Sequence, residues 1–216
     1  MTQPFANENI QLISVYNKIA KDYYRLREHM ALTEEIDEFC SYLSKGASIL
    51  DAGCGNGRDS MIFYGKGYQV TAIDYSDEQL EVAKKRDGIE HIDLQKQNLL
   101  CLRFSEASFD GIWCCAVLPH FHFTEIVKIL TSFHQILKKY GILCFSLKQG
   151  CGEEYVKEPE FPGIERYTSF YSHDDIEKLA LLSGFKILKT STYNERKKFA
   201  AENRDLNFIV STFMKV

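Results

Sequence analysis

Ile49-Leu50-Asp51-Ala52-Gly53-Cys54-Gly55-Asn56-Gly57 is the stretch whose reading decides the fold. It opens as a short apolar strand, and it closes on three glycines before helical spacing begins at Arg58. Glycines allow a tight turn with no side chains in the way, so the backbone N–H groups and the following helix N-terminus can approach a ligand. Asp74, ending the next apolar run about twenty residues on, is placed to accept hydrogen bonds from a ribose diol.

Outward from this loop, short apolar runs alternate with helical segments. Residues 47–51, 68–74, 109–115 and 141–147 read as buried strands, and residues 57–64, 77–86 and 124–138 as helices. Thr124 is the expected N-cap of the last helix, with Lys138 and Lys139 at the negative end of its dipole. Such alternation calls for an α/β, doubly wound, mostly parallel sheet with crossover helices on both faces. Residues 150–163, rich in glycine, proline and glutamate, read as a surface loop. Residues 172–183 read as a helix with Ser172 as N-cap and Gly184 as its stop. Residues 185–192 and 206–213 read as a closing antiparallel strand pair. Residues 10–20 have helical spacing. The expected organisation is one domain, 1–216, comprising an N-terminal helical segment (1–45), a ligand-binding core (46–148) and a closing region (149–216).

Composition narrows the class. The 216 residues are 45% apolar and 26% charged, with a net charge of -4, as in an ordinary globular chain without a large basic field. The seven cysteines form no C-x-x-C pair, and Cys40, Cys101 and Cys144 sit in apolar runs, so reduced buried thiols are expected. Residues 1–11 lack the pattern of a secretory signal, and no apolar run has the length of a membrane span; a cytoplasmic protein is expected.

Two cofactor classes fit a glycine loop followed by an acid. The dinucleotide fingerprint requires a third small residue, yet from Gly53 that position is Arg58 and from Gly55 it is Ser60. An anionic Asp51 also suits an ammonium and a sulfonium better than a pyrophosphate, and Arg58 suits a carboxylate. Together these charges describe an amino acid joined to a nucleoside.

In Ile49–Gly57 the chain matches the pattern hh-D-x-G-C-G-x-G, with h apolar, and so resembles the class I S-adenosylmethionine-dependent methyltransferases. The resemblance runs from Tyr16 to Phe213 and implies their seven-stranded Rossmann-like sheet with one terminal antiparallel strand. It implies that Asp51, Gly53, Cys54, Gly55 and Gly57 surround the methionine part of S-adenosylmethionine, or of the product S-adenosylhomocysteine. Asp74 would bind the ribose hydroxyls and Tyr75 would lie against adenine. Asn98, in Gln97-Asn98-Leu99, stands where the family often has aspartate toward the adenine amino group, with Leu99 beside it. Residues 109–120, ending in Cys115-Ala116-Val117-Leu118-Pro119-His120, resemble the fourth strand and the loop over the reacting centre. Residues 16–23 resemble an N-terminal lid whose Tyr16 and Tyr23 close over the cofactor, excluding water and facing its cationic sulfur with aromatic rings. Ser146–Gly150 and Arg166–Tyr171 resemble segments of bacterial members of unassigned substrate.

Each residue has a plainer reading. Tyr16 and Tyr23 also suit an amphipathic helix packed on the core, and Trp113 reads as core. His120 reads either as a base for the methyl acceptor or as a loop residue bonded to backbone. His120 and His122 have no companions that complete a metal set, so no metal is expected. Arg196-Lys197-Lys198 reads as a solvated hairpin tip, and Lys148 as a contact for an acidic substrate. The expected function is methyl transfer to a small-molecule acceptor by in-line displacement. The first alternative is a tRNA or other nucleic-acid methyltransferase contacting its partner through Arg25, Arg27, residues 196–198 and Arg204, and the second is a non-catalytic S-adenosylmethionine-binding protein. A hydride-transferring NAD enzyme is the remaining enzymatic alternative. The acceptor atom and the oligomeric state are not specified by these residues.

Overall fold

Strands β1 (Ser48–Ala52) and β4 (Phe109–Cys114) lie side by side at the centre of the sheet, buried from both faces. Because successive strand residues point to opposite faces, Leu50 and Ile112 enter one apolar layer while Ile49 and Trp113 enter the other. The computed structural model that gives this arrangement describes residues 4–158 and 160–216; residues 1–3 of the expected N-terminal segment and Pro159 of the expected loop lie outside them.

β1 also pairs in parallel with β2 (Gln69–Asp74), and β2 with β3 (Asp93–Lys96); β4 pairs in parallel with β5 (Leu137–Gln149). The order β3-β2-β1-β4-β5 reverses direction between β1 and β4, which places a topological switch point there. β9 (Asn207–Lys215) runs antiparallel to β5 and carries β8 (Phe185–Asn194) on its outer side. The doubly wound, mostly parallel sheet of the sequence reading is therefore present as β3-β2-β1-β4-β5-β9-β8.

Helices α5 (Phe123–Ile136) and α6 (His173–Ser183) cover one face. Ile126, Ile129, Leu130 and Phe133 of α5 recur at helical spacing and pack on Leu50, Ile112 and Phe145. α2 (Thr33–Ser41), α3 (Arg58–Gly65) and α4 (Asp77–Ala83) cover the other through Ile36, Phe39, Phe63 and Leu80. The long α1 (Pro4–Arg27) reaches further than the spacing of residues 10–20 suggests. Its Asn17 Oδ1 accepts from Ser76 Oγ at 2.6 Å, and Ile19, Tyr16 and Tyr23 join an apolar cluster with Phe161 and Ile164.

Several expectations need correction. The expected loop 150–163 contains β6 (Gly152–Lys157), antiparallel to β7 (Glu165–Tyr171). β6 is an exposed edge strand, so it lacks the buried alternating residues that mark a strand in sequence. β3, with the polar sequence Asp-Leu-Gln-Lys, escapes notice for the same reason. His122, not Thr124, caps α5: the Glu125 carboxylate accepts from the His122 N–H at 3.1 Å. Helix α5 ends at Ile136, and Lys138 is drawn to Asp110 Oδ2 at 2.8 Å. Cys101 is exposed because the short turn that carries it follows an edge strand. By contrast, Ser172 accepts from the Asp175 N–H at 3.3 Å and Gly184 ends α6 at φ +78°, as expected. No helix among the described residues is long and apolar enough to cross a membrane.

Phe39 is fully buried with its ring centroid 5.7 Å from that of Phe63 and 5.6 Å from that of Trp113. Phe39→Ala is expected to destabilise the chain by about 3–5 kcal/mol, measured by urea unfolding, through the cavity left beneath β4.

Candidate functional site

A cavity of about 240 Å³ opens at the C-terminal edge of β1, β2, β4 and β5. It is lined by Tyr16, Tyr23, Asp51, Gly53, Cys54, Gly55, Arg58, Asp74, Tyr75, Asn98, Leu99, Cys115 and His120, so nearly all the residues singled out in the sequence meet in one place. Gly57 does not line it. That glycine caps α3 at φ +76°, and a Cβ there would stand 3.0 Å from Ile89 Cδ1, so its role is to let the helix pack.

The loop after β1 is held by its neighbour. The N–H groups of Gly53 and Cys54 both donate to the Ile73 carbonyl, at 2.8 and 2.9 Å. A side chain at Gly53 would collide with Val117, 2.4 Å from an added Cβ. Asp74 Oδ2 accepts from the Gly55 N–H at 2.9 Å and its Oδ1 from the Ser76 N–H at 2.8 Å, fastening the loop to the next strand. Burial nonetheless raises the Asp74 carboxyl above the ordinary aspartate range. Asp51 is more strongly affected. Its Oδ2 accepts from Ser60 Oγ at 2.5 Å, and burial, reinforced by the neighbouring Asp59 charge, pushes its pKa up to about 7.

Arg58 Nε donates to Asp59 Oδ1 at 2.7 Å and another guanidinium nitrogen to the Arg27 carbonyl at 2.8 Å. Much of its hydrogen-bonding capacity is thus committed to the protein. Asn98 Oδ1 accepts from the Leu100 N–H at 2.9 Å and caps the short turn after β3. Tyr75 is half exposed at the rim, with Lys96 Nζ 5.5 Å from its ring centre.

The opposite wall is basic. His120 Nδ1 lies 2.9 Å from the Tyr167 carbonyl, which only accepts, so Nδ1 carries the proton and Nε2 accepts from Tyr16 OH at 2.8 Å. Burial, with Arg166 nearby, lowers the His120 pKa to about 3. Arg166 donates to Tyr16 OH and to Glu158, while Glu158 also accepts from Arg204 at 3.1 Å. Arg204 Nε in turn donates to Glu195 at 2.8 Å. Lys148 is 5% exposed and, among the described residues, donates only to Thr168 Oγ1, at 3.4 Å; burial and the Arg166 charge lower its pKa to about 8.

The sequence reading missed Asp59, Gln79, Glu158, Arg166 and Glu195 as residues of this neighbourhood. Only Arg166 carried a signal, as part of a resembling segment without an assigned role. Trp113 is core, as expected, but its Nε1 also donates to Asp59 Oδ2 at 3.0 Å. His122 turns away from His120 to Tyr167 OH, at 2.7 Å, and Glu153, at 3.2 Å. Residues 196–198 are not a free hairpin tip: they belong to α7 (Glu195–Phe199), and Lys198 bridges Glu34 and Glu35, at 2.9 Å each. Arg27 and Arg204 are buried in ion pairs, so the basic residues expected to contact nucleic acid do not form one exposed face.

Comparison with known proteins agrees with this geometry. Residues 49–141 match the methyltransferase domain family. A malonyl-acyl-carrier-protein O-methyltransferase of Hamiltonella defensa is 32% identical over 140 residues, covering 58% of this chain and 49% of the relative. A ubiquinone biosynthesis O-methyltransferase of Pasteurella multocida is 29% identical over 193 residues, covering 76% and 78%. The chain therefore spans about half the length of the first relative and about three quarters of the second. A Burkholderia thailandensis 1,6-didemethyltoxoflavin-N1-methyltransferase, solved with bound 1,6-didemethyltoxoflavin and S-adenosylhomocysteine, superimposes with a TM-score of 0.79 at 21% identity, covering 100% of this chain and 92% of that one. Sheet order and family match together define a class I methyltransferase fold. The chain has that fold, and within it residues 49–141 are similar to the methyltransferase domain family.

The raised Asp51 pKa has a consequence for stability. Between the unfolded value near 4 and the folded value of about 7, the folded state holds the extra proton, so stability falls as pH rises through this window. Asp51→Asn is expected to raise the melting temperature at pH 8 and change it little at pH 4, read by thermal unfolding at both.

Proposed function

We propose that this chain is an S-adenosylmethionine-dependent methyltransferase with a small-molecule acceptor. The observation that carries the reading is the meeting of Asp51, the Gly53–Gly55 loop and Asp74 at the ends of adjacent parallel strands, facing one cavity. The residues fit the cofactor. Among the described residues, Gln79 Oε1 is a buried acceptor with no partner and the only atom within 4 Å of a Cβ added at Gly55, at 3.7 Å. That backbone therefore offers an open cradle beside an unused acceptor. Asp51 would face the ammonium and sulfonium, Asp74 the ribose hydroxyls, and Asn98, Leu99 and Tyr75 the adenine. When bound, S-adenosylmethionine supplies an electrophilic methyl carbon: the acceptor atom bonds to it as the carbon–sulfur bond breaks and the electron pair stays on sulfur.

The protein's work is alignment and exclusion of water. In this reading α1 serves as the lid, its Tyr16 and Tyr23 lining the cavity, while the core from β1 to β5 holds the cofactor and the elements after β5 build the acceptor side. Tyr16 hydrogen-bonds to His120 and Arg166, so α1 is tied to the acceptor wall through a charged chain. His120 can serve as a base for the acceptor only when Tyr16 releases Nε2; in the bonded arrangement it positions the tyrosine hydroxyl. The burial of Arg27 and Arg204 favours a small molecule over nucleic acid, and a cytoplasmic location completes the proposal.

Calorimetric titration is expected to show S-adenosylhomocysteine binding and no NAD binding; NAD binding alone would overturn the reading. Asp74→Ala should weaken S-adenosylhomocysteine binding about 10- to 100-fold, because it removes charge-assisted hydrogen bonds. With a true acceptor, the pH profile of turnover between pH 5.5 and 8 should keep its shape in His120→Gln, any inflection there belonging to Asp51 or Lys148. An inflection near pH 6.5 that disappears in His120→Gln would restore the base.

A further inference from the structure

The two ends of the cavity carry opposite charge. Among the described residues, Asp51, Asp59 and Asp74 stand at the glycine loop with the cation Arg58, Arg27 beside them is neutralised by Glu160, and Lys148, Arg166 and Arg204 stand at the other end against Glu158 and Glu195. Both of those glutamates are already bonded to guanidinium groups, which leaves one positive charge uncompensated at the basic end.

That charge belongs to Lys148. It is buried where β5 meets β7 and β9, paired in register with Phe170 and Phe208, and among the described residues no carboxylate lies within ion-pair distance of Nζ. A buried ammonium without a counter-ion is costly, and in natural folds it is normally paired. A second observation points the same way. Arg166 is 4% exposed and lines the cavity, yet among the described residues its Nε has no hydrogen-bond partner. The cavity also includes an aromatic group, with the Tyr193 ring stacked on Phe208 at 5.4 Å and meeting Phe199 edge-on at 5.9 Å.

We propose that the acceptor is a small monoanion with a flat apolar body, whose carboxylate is received by Lys148 Nζ and Arg166 Nε while its body lies against Tyr193 and Phe208. Two donors and one uncompensated positive charge match the two oxygens and single charge of a carboxylate. A phosphate dianion would reverse the imbalance instead of cancelling it. The word acceptor rests on the methyltransferase reading; the binding of the anion does not.

The test uses the full chain loaded with S-adenosylhomocysteine and titrated with benzoate, benzamide and inorganic phosphate. Benzoate is expected to bind and raise the melting temperature, with benzamide about 30-fold weaker or more and phosphate failing to displace it. Lys148→Met should weaken benzoate about 30-fold or more while S-adenosylhomocysteine affinity stays within about twofold, which shows the fold intact; Lys148→Gln is read the same way if the first variant does not fold. Loss of the uncompensated charge should also raise the melting temperature of unliganded Lys148→Met. Equal binding of benzoate and benzamide, no benzoate binding at about 10 mM, displacement by phosphate, or unchanged benzoate affinity in Lys148→Met would each overturn the proposal. Should S-adenosylhomocysteine fail to bind the wild-type chain, the methyltransferase reading falls, and the same benzoate titration of the unloaded chain still decides the anion site.

Discussion

The Asp74 carboxylate at the end of β2 receives the N–H of Gly55 from the loop after β1 and the N–H of Ser76 from the start of the next helix. Two strands, one loop and one helix entrance are thereby registered around a single half-buried acid. The Gly53 and Cys54 N–H groups reinforce this by sharing the Ile73 carbonyl. A loop held this way presents its backbone without side chains, at the switch point where the strand order reverses. The cost is carried by the acids: Asp51 and Asp74 are both buried enough to resist ionisation. A cationic ligand would favour their charged forms, so binding and proton release are coupled at this end of the cavity.

The other end is organised by ion pairs. Arg166, Glu158, Arg204 and Glu195 form a buried chain linking the β6–β7 hairpin, the segment before β9 and α7. Replacing one member would strand a charge in low dielectric, so such a network specifies geometry more than it adds stability. Through Tyr16 it also reaches α1, whose position over the cavity thus depends on residues 150 places away in sequence. His120 belongs to this arrangement as a neutral ring with defined roles for both nitrogens. Opposite charges at the two ends give the cavity a field along its length.

Legibility in the sequence followed burial. β1, β2, β4 and the body of β5 were readable because strands covered on both faces are continuously apolar, and the glycine loop was readable because its conformations exclude most side chains. β3 and β6 were not, since edge strands owe their pairing to backbone bonds and leave no apolar mark. The cap of α5 was missed because a histidine takes the place usually held by a small polar residue.

By itself the sequence determined the order of strands and helices, and it brought Asp51, the glycines and Asp74 to one ligand, because those features are local and obey the periods of the backbone. It named Lys148 and His120 without their partners. Only the tertiary structure decided that His120 is neutral and bonded to Tyr16, that Arg204 is internal, and that Lys148 has no carboxylate partner among the described residues. Those properties depend on desolvation and on charges brought together from distant segments, and neither is written in the spacing of residues along a chain.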